Sequence, residues 1–440
     1  MNTSKYSPTF RPVVMIAAFA LSVGLRARAQ SESTIYSFTT DGPQISTAAL
    51  ISDASGNLYG TTTMGGNFLA SGAGCSRPKG CGTVFELSPS DSGWTPTVLY
   101  SFNGGGNGLF PSAAVVFDGD GNLYGTTIGA PPESYGTVFE LSPVPGGGWT
   151  HKVLHEFTGG KDGASPASAL ILDSSGNLYG TARSGGDLTC TGQPYLPAPG
   201  CGVVFKLERT SKGGWAEIVL HTFTGGDGAT PYSGLAWDTS GNLFGTTYVG
   251  GCDNRYICGD GQGIVFQMVP VPAGGYKYTP IHKFTGGVGG SGPIGTLAFD
   301  ASGALWGTSV FGGPQANGVF SGWGIVFRLA QTSKGGWVKT TVYNFDSNLG
   351  DGFWPNSGVV LGPDGVFYGT TTYGGVFGGD GGTLFAISPT AGGWSEKVIY
   401  EFTYPNGTRP YGVLPMGGNF YGVTLHSGPD NLGIVYEVTP

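Results

Sequence analysis

The stretch Gly56-Asn57-Leu58-Tyr59-Gly60-Thr61-Thr62 returns along the chain with small changes. The further copies are Gly121–Thr127, Gly176–Ala182, Gly241–Thr247, Gly303–Thr308, Gly365–Thr370 and Gly418–Val423. Their spacing of 53 to 65 residues is typical of a repeat architecture. The sequence therefore predicts seven similar structural units.

Each unit contains four strand-like runs. In the first unit an apolar run, Ala48–Asp53, is followed by a Gly-containing turn and then by the quoted motif. The third run, Gly82–Leu87, alternates apolar and charged residues, and the fourth, Thr97–Phe102, follows Trp94. Four antiparallel strands per unit are typical of a propeller blade, although a solenoid also stacks repeats.

The two ends of the chain favour the ring. The seventh unit has only three runs, Tyr411–Leu414, Gly418–Val423 and Gly433–Val438, and its missing fourth run resembles Thr34–Phe38. A strand donated from the N-terminus would complete the last blade and remove an open sheet edge. We expect an all-β, seven-bladed propeller with four antiparallel strands per blade, closed in this way.

The first residues are typical of an export signal. Lys5 and Arg11 precede the apolar run Val13–Leu25, and Ala27-Arg28-Ala29 is a typical cleavage site. The run is too short to span a membrane, so an uncleaved anchor is the weaker alternative. We expect residues 1–29 to be a signal peptide and residues 30–440 a single propeller domain, secreted or periplasmic, monomeric and without a transmembrane segment.

Charge limits the partners of the mature chain. Cleavage after residue 29 leaves 16 basic against 28 acidic residues, a net charge of −12. This balance disfavours nucleic acids and anionic membrane surfaces, which attract basic patches.

Six cysteines form three close pairs in loops between the second and third runs. The pairs are Cys75 with Cys81, Cys190 with Cys201, and Cys252 with Cys258. In an exported chain this spacing predicts three local disulfides. A metal site is the weaker interpretation, because no Cys-x-x-Cys pair or nearby histidine accompanies them.

Three blocks that recur in one order, Gly-Asn-Leu-Tyr-Gly-Thr-Thr, Gly-Thr-Val-Phe-Glu-Leu-Ser-Pro and Tyr-Ser-Phe, resemble the GloVer tandem-repeat family of secreted bacterial proteins. The likeness covers Thr34–Pro440. It implies export and, in many members, a C-terminal surface anchor, which we do not expect here. It implies no catalytic residues. The motif is also similar to sensor propellers of two-component regulators, which supports the same fold.

The loops after the second and fourth runs should share one face of the disc, and their variable length makes that face the expected binding surface. Asp162, Asp227 and Asp351 lie there in an Asn/Asp-Gly-x-x-Pro pattern that turn chemistry alone would explain. Alternatively, carboxylates around the channel mouth would suit a polyol or a hard cation, so a structural Ca²⁺ stays open although we predict no cofactor. The histidines His155, His221 and His282 share a repeat position with tyrosines, which predicts packing.

Aromatic residues in the same loops suggest a carbohydrate surface, or plugs between blades. They are Phe110, Tyr232, Phe320, Trp323, Phe353, Trp354, Tyr373 and Phe377. We predict a non-enzymatic protein that binds a glycan or a cell-envelope protein. The ligand-binding residues predicted are Phe110, Asp162, Asp227, Tyr232, Asp351, Phe353 and Trp354. The alternatives are a polysaccharide hydrolase or lyase with carboxylates at the channel mouth, and a structural or adhesive surface protein.

Overall fold

A computed structural model describes residues 31–40, 42–66, 75, 80–190, 198–251, 262–318, 320–375 and 379–440. The predicted signal peptide, the Cys252 and Cys258 pair, and Phe377 lie outside these residues. None of the described residues belongs to a helix with the length and hydropathy that a membrane crossing requires.

The described chain forms seven four-stranded antiparallel sheets, numbered here as blades 1 to 7. From the innermost to the outermost strand, blade 1 contains Ile51–Ser52, Leu58–Thr62, Thr83–Ser90 and Gly93–Ser101, blade 2 contains Val116–Phe117, Leu123–Thr127, Thr137–Pro143 and Trp149–Glu156, and blade 3 contains Ile171–Leu172, Leu178–Ala182, Val203–Arg209 and Trp215–Thr222. Blade 4 contains Ala236–Trp237, Leu243–Thr247, Ile264–Pro270 and Tyr276–Lys283, and blade 5 contains Ser291–Phe299, Leu305–Phe311, Ile325–Gln331 and Trp337–Asn344. Blade 6 contains Val359–Leu361, Phe367–Thr371, Thr383–Thr390 and Gly393–Glu401, and blade 7 contains Thr408–Met416, Asn419–His426, Ile434–Thr439 and Ser31–Ser37.

Three small elements accompany the blades. Pro43–Gln44 pairs with Met64–Gly65, and single 3-10 turns occupy Gly105–Asn107 and Gly287–Gly289. The predicted all-β, seven-bladed propeller is confirmed.

The ring closes as predicted, with an N-terminal strand that completes the last blade. Ser31–Ser37 pairs antiparallel with Ile434–Thr439, in a register that runs from Ser31 opposite Thr439 to Ser37 opposite Ile434. The N-terminal segment is thus the outer strand of blade 7. The solenoid alternative is wrong.

The first half of the repeated motif fixes the hairpin between the two inner strands. In blade 1, the carboxylate of Asp53 accepts hydrogen bonds from the backbone N–H groups of Ser55 (2.8 Å) and Asn57 (2.9 Å). It also accepts from the Asn57 amide (2.8 Å) and the Tyr59 hydroxyl (3.1 Å). Aspartate therefore closes the turn and at the same time orients the tyrosine.

The glycine in the middle of the motif makes room for the phenylalanine of the next strand. A Cβ atom on Gly60 would lie 2.6 Å from Cζ of Phe85, and one on Gly180 would lie 2.7 Å from Cζ of Phe205. Phe85 and Phe205 are buried, so neither ring can move away without opening the core. Glycine is required here by close packing.

The two threonines bind strands together. The hydroxyl of Thr62 lies 2.8 Å from that of Thr83 on the third strand. Thr61 instead donates to the carbonyl of Ala113, where blade 2 begins, at 3.0 Å. The motif thus holds each blade together and joins it to its neighbour, which leaves the loops as the variable part of the molecule.

We predict that Gly125→Ala lowers the free energy of unfolding by about 1–3 kcal/mol, because overpacking forces strained side chains. The new Cβ would lie 2.5 Å from Cζ of Phe139. Gly119→Ala is the matched control, because a Cβ there meets no atom within 4 Å. Denaturant unfolding of the two variants measures the difference, and equal midpoints would contradict the packing explanation.

Candidate functional site

One residue in each unit adopts the left-handed backbone conformation just before the innermost strand or, in blades 5 and 7, at its second residue. These residues are Ile45, Phe110, Ser165, Thr230, Gly292, Trp354 and Arg409, with φ between 54° and 63°. A non-glycine residue in this region is uncommon and costs free energy, so its recurrence indicates a structural or functional demand.

The demand is a hydrogen bond between blades. Each left-handed residue donates its backbone N–H to a carbonyl of the preceding blade at 2.6–3.3 Å, a contact called here the inter-blade bridge. The donor and acceptor pairs are Ile45 and Leu432, Phe110 and Cys81, Ser165 and Tyr135, Thr230 and Cys201, Gly292 and Gln262, Trp354 and Trp323, and Arg409 and Gly381.

Two disulfides stabilise the acceptor side of this bridge. Cys75–Cys81 and Cys190–Cys201 join Cα atoms 5.4 and 5.6 Å apart, and Cys81 and Cys201 each supply an acceptor carbonyl. These two predicted disulfides are confirmed, while the third stays a prediction. Because a disulfide restricts the unfolded chain, each one stabilises the folded loop that carries the acceptor carbonyl.

A cavity of about 670 Å³ opens at the centre of the face that carries the loops after the second and fourth strands, called here the loop face. Every unit contributes the residue that follows the proline of the Asn/Asp-Gly-x-x-Pro pattern, which begins with Gly in blade 5, or follows its equivalent Ser46 in blade 1. These residues are Thr47, Ser112, Ala167, Tyr232, Ile294, Asn356 and Tyr411. The remaining lining residues are Thr63, Ile128, Thr230, Tyr248, Val310, Phe311, Trp354 and Leu425.

The lining is asymmetric around the ring. Blades 1 to 3 contribute small side chains such as Ser112 and Ala167, whereas blades 4 to 7 contribute aromatic rings. The Trp354 ring lies 5.7 Å from Phe311 and 5.3 Å from Tyr373, measured between centroids. Further ring contacts extend this cluster: Tyr373 with Phe353 at 5.5 Å, Phe353 with Trp323 at 4.9 Å, Phe311 with Phe320 at 5.5 Å and Phe320 with Tyr248 at 6.5 Å.

The side chains that line the cavity carry no charge at neutral pH, although the Arg183 guanidinium lies 5.7 Å from the centre of the Tyr232 ring. Among the described residues that line it, none is Asp, Glu, Lys, Arg or His. Burial raises the pKa of Tyr248 and Tyr411 above the ordinary tyrosine value, and the nearby phenol of Tyr232 adds to both shifts. The Asn356 amide donates to the Thr372 hydroxyl, and the buried Nε1 of Trp354 has no hydrogen-bond partner.

The predicted site residues fall into two groups. Tyr232 and Trp354 line the cavity, and Phe353 lies behind Trp354 in the aromatic cluster. Phe110 instead packs against the hydrophobic core between blades 1 and 2. The three predicted aspartates do not line the cavity.

Each of those aspartates binds groups of its own blade. Asp227 accepts hydrogen bonds from the backbone N–H of Thr224 (2.8 Å) and lies 3.0 Å from Nε2 of His221. Burial acts to raise the pKa of Asp227, but the hydrogen bonds from His221 and Thr224 lower it overall. Asp162 makes the equivalent contacts with Thr158 at 2.8 Å and His155 at 3.5 Å.

Asp351 is buried and accepts a hydrogen bond from the hydroxyl of Tyr343. Burial raises its pKa. The three loop aspartates are therefore partners of the His or Tyr on the outer strand, which is the turn and packing chemistry named among the alternatives above.

Sequence reasoning missed Tyr248, Phe311, Asn356 and Tyr411. Tyr248 directly follows a second strand and Phe311 ends one, while Tyr411 follows a proline inside what reads as an apolar strand. The sequence repeat could have identified three of the cavity residues. When the units are aligned on the residue after the proline, Tyr232, Asn356 and Tyr411 fall at the same position.

The outer strands carry a second set of contacts between blades. The residue two positions after Trp149 or its equivalent faces the His or Tyr of the preceding outer strand. His151 stacks on Tyr100 at 4.1 Å, and Tyr278 stacks on His221 at 3.8 Å. Burial lowers the pKa of His151 to about 4, so it is a neutral packing residue.

At two blades this position holds a glutamate. Burial raises the pKa of Glu217 to about 7 and that of Glu396 to about 8, and the charge of Asp351 adds to the shift of Glu396. Atom Oε1 of both side chains is buried without a hydrogen-bond partner. Folding therefore shifts both carboxyls toward the protonated form.

In the part of the chain that the structure describes, no three His, Cys, Asp or Glu side chains are grouped as a metal site. Asp118, which begins the sequence Asp118-Gly119-Asp120-Gly121, accepts hydrogen bonds from the backbone N–H groups of Asp120 and Asn122, both at 2.9 Å. It closes the hairpin as Asp53 does in blade 1.

The Gloeobacter/Verrucomicrobia repeat model matches the chain three times, at residues 24–193, 73–259 and 256–440. The search of curated proteins found no match to the chain. Solved structures with a similar fold include a proposed 6-phosphogluconolactonase from Bacteroides fragilis, with 15% identity over 78% of this chain and 83% of that one, and a TM-score of 0.47.

Two others are a proposed oxidoreductase (glucose dehydrogenase) from Thermus thermophilus and a protein of unknown function from Dyadobacter fermentans. The first has 17% identity over 78% of this chain and 94% of that one, with a TM-score of 0.42. The second has 11% identity over 92% and 96%, with a TM-score of 0.45. Likeness at this level transfers no activity.

We predict that Glu396→Gln raises the free energy of unfolding at pH 8 by about 1–2 kcal/mol, less than the full pKa difference because solvent screens the partly exposed side chain. Since the pKa rises from 4.5 to about 8 on folding, the wild-type carboxyl contributes full stability below pH 4.5 and loses it as the pH approaches 8. The two proteins should therefore converge in acid. Denaturant titrations across this range measure the effect, with the exposed Glu133→Gln as control. A difference independent of pH would contradict the assignment.

Proposed function

The chain belongs to the Gloeobacter/Verrucomicrobia repeat family, and on this premise we propose that it is an exported propeller whose loop-face cavity binds a neutral glycan. The observation that carries the proposal is the composition of the lining, in which aromatic rings stand opposite small hydroxyl-bearing side chains and no charged group takes part.

The size and shape of the cavity suit a short saccharide. Its volume of about 670 Å³ lies within the range of small-molecule sites. The rings of Tyr232, Tyr411 and Trp354 offer apolar faces, and tyrosine and tryptophan also carry a polar group at the ring edge. Hydroxyls of Thr47 and Ser112 and the amide oxygen of Asn356 can bind sugar hydroxyls.

The electrostatics favour an uncharged ligand. The net charge of −12 expected for residues 30–440 repels polyanions, and the lining holds no basic side chain among the described residues. Among the described residues the lining also holds no carboxylate, whereas glycoside hydrolysis usually requires a pair of carboxyl groups. The cavity therefore supports binding better than the hydrolase alternative.

Export rests on separate observations. Residues 1–29 have the pattern of a signal peptide, and Cys75–Cys81 and Cys190–Cys201 form disulfides, which persist in oxidising compartments. Both fit a secreted or periplasmic protein that meets glycans at or beyond the cell envelope.

A glycan array and affinity electrophoresis in neutral polysaccharides test the proposal. We expect Trp354→Ala and Tyr232→Ala each to weaken retention about tenfold or more, since stacking and burial at the centre of a site dominate affinity. Tyr404→Ala is the matched control, because Tyr404 is an aromatic loop residue that is 74% exposed and lies outside the cavity.

Circular dichroism spectra and thermal midpoints of all three variants establish that they are folded. Retention of both cavity variants at the wild-type level would contradict the proposal, as would binding only to proteins that no soluble sugar displaces.

A further inference from the structure

A second cavity, of about 880 Å³, lies between blades 4 and 5 on the opposite face of the disc. The turns Asp238–Ser240 and Asp300–Gly303 border it, and these belong to the tight hairpins between inner strands. This cavity is therefore separate from the one on the loop face.

Its floor is aromatic. The Phe244 ring lies 5.4 Å from Phe299 and 5.7 Å from Trp337, in edge-to-face contacts. Its walls carry both hydrogen-bond donors and hydrogen-bond acceptors. Those that line the cavity include Asp238, Gln267, Arg328 and Gln331.

Comparison with one other interface shows which side chains can fill this space. At the equivalent interface between blades 2 and 3, Tyr124 bonds Asp118 at 2.9 Å and Glu140 at 3.1 Å. Arg209 bonds the same hydroxyl at 3.2 Å and lies 4.7 Å above the Trp215 ring, so it covers the tryptophan.

Blades 4 and 5 replace all three of these filling residues. Strand pairing aligns Tyr124 with Phe244, Glu140 with Gln267 and Arg209 with Gln331. Trp337 is thus paired with Gln331, whereas Trp215 is covered by the guanidinium of Arg209.

The loss of the phenol also leaves acceptor capacity on the turn carboxylate. In blade 1 one carboxylate oxygen, Oδ2 of Asp53, accepts from both an asparagine amide and a tyrosine hydroxyl. Among the described residues of its blade, the same oxygen of Asp238 accepts only from the Asn242 amide, at 2.7 Å. Across the cavity, Arg328 is held by Asp300 at 2.9 Å and Ser302 at 2.8 Å, so its position is fixed.

We propose that this cavity is a second saccharide site, which takes one neutral pyranose of a glycan between blades 4 and 5. A sugar hydroxyl both donates and accepts, and so matches a carboxylate, a guanidinium and two amides together, while the apolar face of the ring packs on Trp337. A single excess negative charge from Asp238 disfavours acidic sugars. The proposal is independent of the ligand on the loop face.

Hydrogen–deuterium exchange of the full mature chain tests the proposal, with the methyl glycosides of glucose, galactose, mannose and N-acetylglucosamine as probes and adenosine as a comparison. We expect at least one glycoside to slow exchange in peptides that contain Asp238–Phe244 and Phe299–Ala304, because the ligand excludes water from these turns. Trp354→Ala should leave this protection unchanged, which separates it from the loop-face site.

The decisive variant is Phe244→Tyr with Gln267→Glu and Gln331→Arg, which installs the residues of the blade 2 and 3 interface. Because that set already packs in this protein, we expect the variant to fold with an unchanged thermal midpoint and to bind the glycoside at least about tenfold more weakly. The proposal is overturned if no glycoside protects these peptides, if only adenosine does, or if the triple variant binds as tightly as the wild type.

Discussion

One backbone hydrogen bond per blade holds neighbouring sheets in a fixed relation. It requires a left-handed residue at or just before the start of the innermost strand, even where that residue is as bulky as Phe110 or Trp354. Such a conformation persists only where the surroundings enforce it. The following proline contributes, since the ring of Pro111 packs against Gly82, where a Cβ would lie 2.6 Å from its Cδ atom. The residue after each of the six prolines, or after Ser46 in blade 1, lies at the central channel, so the loop-face cavity has seven equivalent positions.

The framework tolerates variation because the repeated residues carry the stability. Aspartate closes the hairpin, glycine admits the phenylalanine, and threonine reaches the next blade. With these contacts in place, the channel positions can vary from Ala167 to Tyr232 without loss of the ring. Variation is then available for binding, as is usual for loops on a rigid fold.

The seven blades, and their closure by the N-terminal strand, could be predicted because they depend on a local repeated pattern and on the number of strand-like runs in each unit. The site could be predicted only in part. Tyr232 and Trp354 could be identified as aromatic residues in loops. Asp227 and Asp351, however, bond Thr224, His221 and Tyr343, whose positions across the turn are set by the fold. The cavity between blades 4 and 5 was missed for a similar reason.

The change from tyrosine to Phe244 looks conservative along the sequence. It matters only because Gln331, on the next blade, stands in place of the arginine that covers Trp215 between blades 2 and 3. The geometry behind both cavities rests on a closed ring, and hydrogen exchange of Ser31–Ser37 tests that closure most directly. Closure predicts that these amides are protected like those of the outer strand Trp149–Glu156. Exchange of the whole segment within seconds, while Ile434–Thr439 stays protected, would show that the chain ends are not paired and would contradict the ring.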